Sequence, residues 1–365
     1  MGEVNSIVPL VHRLNSAREG CVFFTTTTRT GYTVATQKLG DRNTISYFPL
    51  DMGFMVKRVL SRINPGAIVL FETEIWPNLI RTASQLDIPI LLINGRLSQK
   101  SFRYYKLMSK TFSEVVSRIS FAGMQSHADA QRILALGARP ETVQICGNVK
   151  FDSIPPKVSP EETAQLRRAL ALGDQPLIVA GSTHEGEEQA LLSIYRELHP
   201  KLPNVRLLLA PRHPERFNSV EALARTLGFQ VQRRSRPAPD RATTSDGVLL
   251  LDTIGELGRV YALASVAFVG GSLAKIGGHN IIEPASMGKP VLFGPHMHHF
   301  EDIKDMFLSE HAAICVENEK ELADAVLRLL EQPETALRLG EAARKVVEAN
   351  RGATERYFQA IERYL

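Results

Sequence analysis

Short apolar runs alternate with segments of helical period along nearly the whole sequence, and this alternation restricts the chain to an α/β fold. The runs fall at 22–25, 45–48, 67–71, 90–93, 119–122 and 143–146, and again at 177–180, 206–210, 229–231, 248–251, 266–269, 291–293 and 313–316. Continuous apolar runs of this kind suit parallel strands buried on both faces. Between the two series lies Asp152-Ser153-Ile154-Pro155-Pro156-Lys157-Val158-Ser159-Pro160, a proline-rich linker. The expected organisation is a first domain over 1–150, a second over 151–345, and a C-terminal helix over 346–365 that packs back on the first. Two doubly wound sheets would then face a cleft, with ligands outside the carboxyl ends of the strands. One irregularity stands at the start. Val4, Ile7, Val8, Val11 and Leu14 set a helical period with no room for a strand ahead of it.

Composition narrows the partners. With 44% hydrophobic and 22% charged residues the chain is ordinary globular material, long enough for two full cores. A net charge of +4 is too small to indicate nucleic acid, and suits acidic small molecules or an anionic membrane surface. Cys21, Cys146 and Cys315 are far apart in or beside apolar runs, the pattern of buried thiols in a reducing compartment. No apolar run reaches the length of a membrane span, and no signal peptide opens the chain. Arg233 to Ser245 reads as a mobile polar loop.

Polar clusters collect where the strands should end. After the run 266–269 come Gly270-Gly271, then Gly277-Gly278-His279-Asn280 and Glu283-Pro284, a strand, glycine loop and helix N-terminus suited to an anion or to an ordinary βα turn. Gly181-Ser182-Thr183-His184-Glu185 follows the run 177–180, with Ser182 or Thr183 the expected helix cap. Arg212 and His213 follow 206–210, where an arginine can bind phosphate through two parallel hydrogen bonds. In the first half, Thr25 to Thr28 offers hydroxyls to a phosphate or sugar, or merely enters a turn. Glu72-Thr73-Glu74-Ile75-Trp76-Pro77 supplies two carboxylates that could bind hydroxyls, act as bases, or favour the start of a helix at Pro77. Arg96, Lys100, Arg103, Lys106 and Lys110 interleave with Phe102, Tyr104, Tyr105, Leu107 and Met108, which suits an anionic lipid surface or a solvated helix face. His296, His298 and His299 match no common zinc spacing, so no metal is expected.

Taken together, Gly2-Glu3-Val4, Tyr47-Phe48-Pro49-Leu50-Asp51, Glu72 to Asn78, Arg96-Leu97-Ser98, Lys150-Phe151-Asp152, Ser182 to Glu188, Pro211 to Arg216, and Gly277 to Asn280 through Glu283 resemble, in order and spacing, the 3-deoxy-D-manno-octulosonic acid (Kdo) transferases of Gram-negative lipopolysaccharide biosynthesis. The resemblance runs from end to end. It implies a GT-B glycosyltransferase of two Rossmann-like domains that inverts the anomeric centre without a protein-bound metal or cofactor. The donor would be CMP-Kdo, held by the second domain. The acceptor would be a lipid A precursor (lipid IVA), held by the first domain at the cytoplasmic face of the inner membrane.

The resemblance also assigns roles. Glu3 corresponds to the general base, Arg212, Gly278, His279 and Asn280 to the phosphate site, and His213 and Gly277 to the donor site more generally. Glu283 would meet the ribose, with Ser182, Thr183, His184 and Glu185 on the donor side. Glu72, Glu74, Arg96 and Thr28 would serve the acceptor or Kdo. Two departures accompany it. Family members carry a hydrophobic anchor and a first strand before the Gly-Glu pair, so the first strand of the N-domain is expected to be missing and membrane attachment to be peripheral. His299 stands where members carry asparagine. Two other readings remain open: a sugar-nucleotide 2-epimerase of similar fold, and an inactive sugar-nucleotide-binding scaffold.

Overall fold

The computed structural model describes residues 2–18, 22–107, 109–154, 158–236 and 247–365. Cys21, Met108, Pro155 to Lys157 of the linker and 237–245 of the polar loop lie outside the described residues, as does the Lys110 side chain. The chain forms two compact units, one of 1–153 with 350–365 and one of 154–349.

Unit 1 contains β1 (Phe23–Thr26), β2 (Thr44–Tyr47), β3 (Ile68–Phe71), β4 (Ile90–Gly95), β5 (Phe121–Met124) and β6 (Val143–Ile145). All pair in parallel, but in two separate sheets, β1-β2 and β3-β4-β5-β6. β1 and β3 each stand at an edge, and their exposure reflects it: Phe23 is 39% and Val69 36% exposed. The run at 119–122 predicted a strand two residues too early. Ile119 closes the preceding helix by donating its amide to Val116, and the strand begins only at Phe121.

One face of β4 and β5 is covered by helix Gly2–Ala17 and helix Ala353–Glu362, through Leu10, Tyr357, Phe358 and Ile361. Asp152 fixes the second of these, because its carboxylate accepts the amides of Gly352 (2.7 Å) and Thr354 (2.6 Å). These are the amides that a helix start leaves without a partner. The other face packs on helices Gly53–Ile63, Pro77–Gln85 and Ser109–Val116 through Val56, Leu60, Ile80, Val115 and Val116.

Unit 2 contains β7 (Leu177–Thr183), β8 (Arg206–Pro211), β9 (Val231–Arg233), β10 (Val248–Leu250), β11 (Val266–Val269), β12 (Val291–Phe293) and β13 (Ile314–Cys315). They form one parallel sheet in the order β13-β12-β11-β7-β8-β10-β9. The chain winds outward from β7 in one direction and returns to its other side with β11. The β7/β11 junction is therefore the topological switch point, where the following loops splay apart and leave a crevice.

Candidate active site

In unit 2 the crevice is lined by the loops after β7, β8 and β11. Ser182 was expected near a helix cap. Instead β7 continues through Thr183, with a break in register between Gly181 and Thr183 and a left-handed φ of 54° at Ser182. Helix Glu187–Leu198 starts later, capped by Gly186, whose φ of 91° suits glycine. Non-glycine residues hold left-handed backbone only where their surroundings impose it, and such positions concentrate at functional loops. Glu72 (φ 59°) and Asn94 (φ 51°) do the same at the ends of β3 and β4.

The bulge turns His184 toward the loop after β11. Its Nε2 lies 2.8 Å from Nε2 of His279, with the rings nearly parallel, and the His213 ring packs edge-on at 5.3 Å. One Nε2 donates the shared proton and the other accepts it. Burial holds His279 down at about 4 and also lowers His184, and the charges of Arg212 and the neighbouring His213 push both the same way. Glu187 opposes this at His184, where Arg216 adds to it, and His299 adds to it at His279. Glu283 is raised by burial, against a hydrogen bond from Asn280 Nδ2 (3.2 Å) and the charge of Arg212. Arg212 itself is exposed. A cation, two neutral imidazoles and an acid with raised proton affinity thus converge, an arrangement suited to a phosphate and a neighbouring hydroxyl.

These pKa shifts have a sign that can be checked. The folded protein keeps His279 neutral where the unfolded chain, with its histidine near 6.5, has already bound a proton. The stability this contributes is fully present above about pH 6.5 and is lost as the pH falls toward about 4. The unfolding free energy should therefore drop more steeply across that window in wild type than in His279→Asn, as read by urea titration.

The glycine loop itself departs from expectation. The amides of Gly277 (3.2 Å) and Gly278 (2.7 Å) both donate to the Gly271 carbonyl, so neither points at a ligand. The amides of Gly271, Ser272, Leu273 and Ala274 all donate to the Glu187 carboxylate, at 2.8 to 3.2 Å. The helix that follows, Ile282–Ser286, has only five residues, and its dipole is correspondingly small. Asn280 Oδ1 accepts the Ile282 amide, and Ile281 holds the cap position. Among the described residues, no backbone acceptor is recorded for the amides of His279 and Asn280.

Gly277 and Gly278 are needed for close packing. A Cβ on Gly277 would stand 2.5 Å from His299 Nδ1, and one on Gly278 would stand 2.1 Å from Met297 Sδ. His298 and His299 thus pack against the loop, and among the described residues no group of three metal-ligating side chains forms. The Thr183 carbonyl accepts the Arg212 amide (3.0 Å), joining the loops after β7 and β8, while Glu185 is exposed.

In unit 1 the carboxylates of Glu3, Glu72 and Glu74 gather. Burial raises Glu72, against the charges of Lys150 and Arg96, and Glu3 and Glu74 raise it further. Glu74 is raised by burial and by Glu3, against a hydrogen bond from the Trp76 side chain. Glu3 is exposed in the first turn of helix Gly2–Ala17. The start of helix Pro77–Gln85 is served by neither Glu72 nor Glu74. Asp51 does this, accepting the amides of Asn78 (3.0 Å) and Leu79 (2.8 Å). Thr28 is the N-cap of helix Arg29–Leu39, accepting the Gly31 amide at 3.1 Å, and the structure records no contact between it and this carboxylate group.

Lys150, Glu187, Glu188 and Arg216 carry no role in the sequence reading, although each lies in a motif quoted there. Two acids opening a helix read as ordinary dipole partners. Only burial, 2% exposure for Glu187 and 0% for Glu188, sets them apart.

Comparison with known proteins agrees with these motifs. Residues 1–153 match the family model described as 3-deoxy-D-manno-octulosonic-acid transferase (kdotransferase). The chain is 36% identical over 367 residues to the 3-deoxy-D-manno-octulosonic acid transferase of Haemophilus influenzae, covering 100% of this chain and 85% of that protein. Its fold is similar to a glycosyltransferase from Rickettsia africae (TM-score 0.61, 14% identity, 99% and 93% of the two chains). It is also similar to a UDP-GlcNAc 2-epimerase from Neisseria meningitidis bound to UDP-GlcNAc (TM-score 0.64, 13% identity, 99% and 97%). At such low identity these two establish only the GT-B type of α/β architecture. Near-complete coverage by a sequence relative does more, and the chain belongs to the Kdo transferase family of glycosyltransferases.

Proposed function

We propose that this chain transfers Kdo from CMP-Kdo to a lipid A precursor, with inversion at the anomeric carbon and without a metal. The observation that carries the donor assignment is the convergence of Arg212, His184, His279 and Glu283 at the switch point of unit 2. Arg212 and the amides of His279 and Asn280 bind the phosphate. Glu283 accepts hydrogen bonds from ribose hydroxyls, and the neutral imidazole pair keeps one N–H, on Nδ1 of the ring whose Nε2 accepts, to donate to a phosphate oxygen.

In the reaction, the acceptor hydroxyl oxygen attacks the anomeric carbon of Kdo as the bond from that carbon to the phosphate oxygen breaks. CMP leaves with the electron pair, and the hydroxyl proton passes to the carboxylate of Glu3. Charge grows on the leaving phosphate, where Arg212 stabilises it in the role a metal plays elsewhere.

Unit 1 supplies the acceptor side through Glu72, Glu74, Arg96 and Lys150. Among the described residues no helix is long and apolar enough to cross a membrane. The lipid is met at the cytoplasmic face of the inner membrane. Leu50 (68% exposed), Phe54 (67%), Tyr104 (62%) and Leu107 (87%) project beside Lys57, Arg58, Lys100, Arg103 and Lys106.

The test is to incubate the protein with CMP-Kdo and lipid IVA in anionic vesicles, with and without EDTA, and weigh the lipid product. A mass gain of Kdo that is insensitive to EDTA supports the reading, and the gain counts the sugars added. Release of CMP with no change in the lipid defeats it. Epimerisation of a UDP-sugar would mark the protein as an epimerase instead.

A further inference from the structure

Helix Glu187–Leu198 opens with two glutamates whose carboxylates are almost fully buried, and neither serves the amides of its own first turn. Glu187 Oε2 accepts the amides of His184 (2.9 Å) and Gly271 (2.8 Å). Its Oε1 accepts those of Ser272 (3.0 Å), Leu273 (3.0 Å) and Ala274 (3.2 Å). Successive amides turned inward form a concave nest that binds anions, and here the anion is a side chain of the protein itself. Gly270 is what lets it in. A Cβ there would stand 2.8 Å from Glu187 Oε2 and 2.6 Å from the Ser182 carbonyl.

Glu188 holds the neighbouring loop in a different way. Arg216 places Nη1 at 2.7 Å from Oε1 and Nη2 at 3.2 Å from Oε2, a two-point ion pair. Arg216 also closes the turn that carries Arg212 and His213, by donating its amide to the His213 carbonyl (3.0 Å). Each glutamate therefore ties down one loop of the crevice, 271–280 or 211–216, and both are anchored in the same helix turn.

We propose that Glu187 and Glu188 are positioning residues for the donor, Glu187 by filling the amide nest at 271–274 and Glu188 by fixing the Arg212–His213 turn through Arg216. The first two glycines of the loop then serve an internal carboxylate, and the ligand meets only the distal part, from His279 onward. This rests on the assignment of unit 2 as the CMP-Kdo site.

The test compares wild type, Glu187→Gln and Glu188→Gln as full chains, by amide hydrogen exchange without ligand and then by CMP titration and donor kinetics. Glutamine keeps the volume of each side chain but turns a donor toward one set of amides or toward Arg216. In wild type the amides of Gly271 and Ser272 should exchange slowly without any ligand. Exchange at the rate of open loop amides there refutes the nest, whether or not either variant folds. Glu187→Gln should release 271–274 and leave the 211–216 turn protected, and Glu188→Gln should do the reverse.

Each variant should weaken CMP binding and raise KM for CMP-Kdo about tenfold, the scale of one charged hydrogen bond, with KM for the lipid unchanged. Equal loosening of both loops by both variants would reduce the effect to general damage and overturn the proposal. So would released loops with unaltered CMP affinity. Failure of wild type to bind CMP would strike the donor assignment itself and the positioning role with it, while slow exchange at Gly271 would show the nest to be intact.

Discussion

Glu3→Gln should slow Kdo transfer about 10²–10⁴-fold, the usual worth of a general base, with CMP affinity left at the wild-type value. The substitution keeps the shape of the side chain and removes only its capacity to take a proton. Glu3 belongs to unit 1, and the groups assigned to CMP belong to unit 2. Glu3 is exposed, and its charge is felt at both Glu72 and Glu74. Glu72 is half-buried and lies within the field of Lys150 and Arg96, which suits it to hold structure or a sugar hydroxyl. Single-turnover rates for Glu3→Gln and Glu74→Gln decide between the two more accessible acids. A wild-type rate in the first with a collapse in the second would move the base to Glu74.

Arg212→Ala should weaken CMP binding about ten- to a hundredfold, equivalent to about 1.5–3 kcal/mol for hydrogen bonds from a charged group. The guanidinium stands where its charge reaches His184, His279 and Glu283 together, as its effect on all three shows. Arg212→Lys restores part of the affinity, because an ammonium supplies the charge without the planar pair of donors. Titration of CMP against the three proteins measures this. Equal affinities would remove Arg212 from the phosphate site.

Much of the architecture was legible because parallel strands buried on both faces leave continuous apolar runs. β11 and β12 fall on the residues the runs mark, and the other strands except β7 fall within about two residues of them. The ends of strands were less legible. β7 runs on through Thr183 by means of a bulge at Ser182, which no local pattern announces, and so the helix cap moved from Ser182 or Thr183 to Gly186. The runs alone also did not divide β1-β2 from β3-β4-β5-β6, because strand pairing is not a local property of the chain.

The site divides along the same line. Residue types and spacing singled out the clusters that hold Glu72, Glu74, His184, Arg212, His279 and Glu283, because charged and glycine-rich clusters at strand ends are a local property of the chain, while Glu3 came from the family resemblance alone. What each group does depends on neighbours distant in sequence. The Gly270-Gly271 pair looked like a phosphate cradle, yet the Gly271 amide already holds Glu187, 84 positions earlier in the chain, and the Gly270 amide donates to the Gly181 carbonyl. His184 and His279, 95 positions apart, share one proton only because β7 and β11 are adjacent. Sequence periodicity reports which faces are apolar. It carries no record of which buried carboxylate fills which set of amides, because that pairing exists only once the strands have been laid side by side.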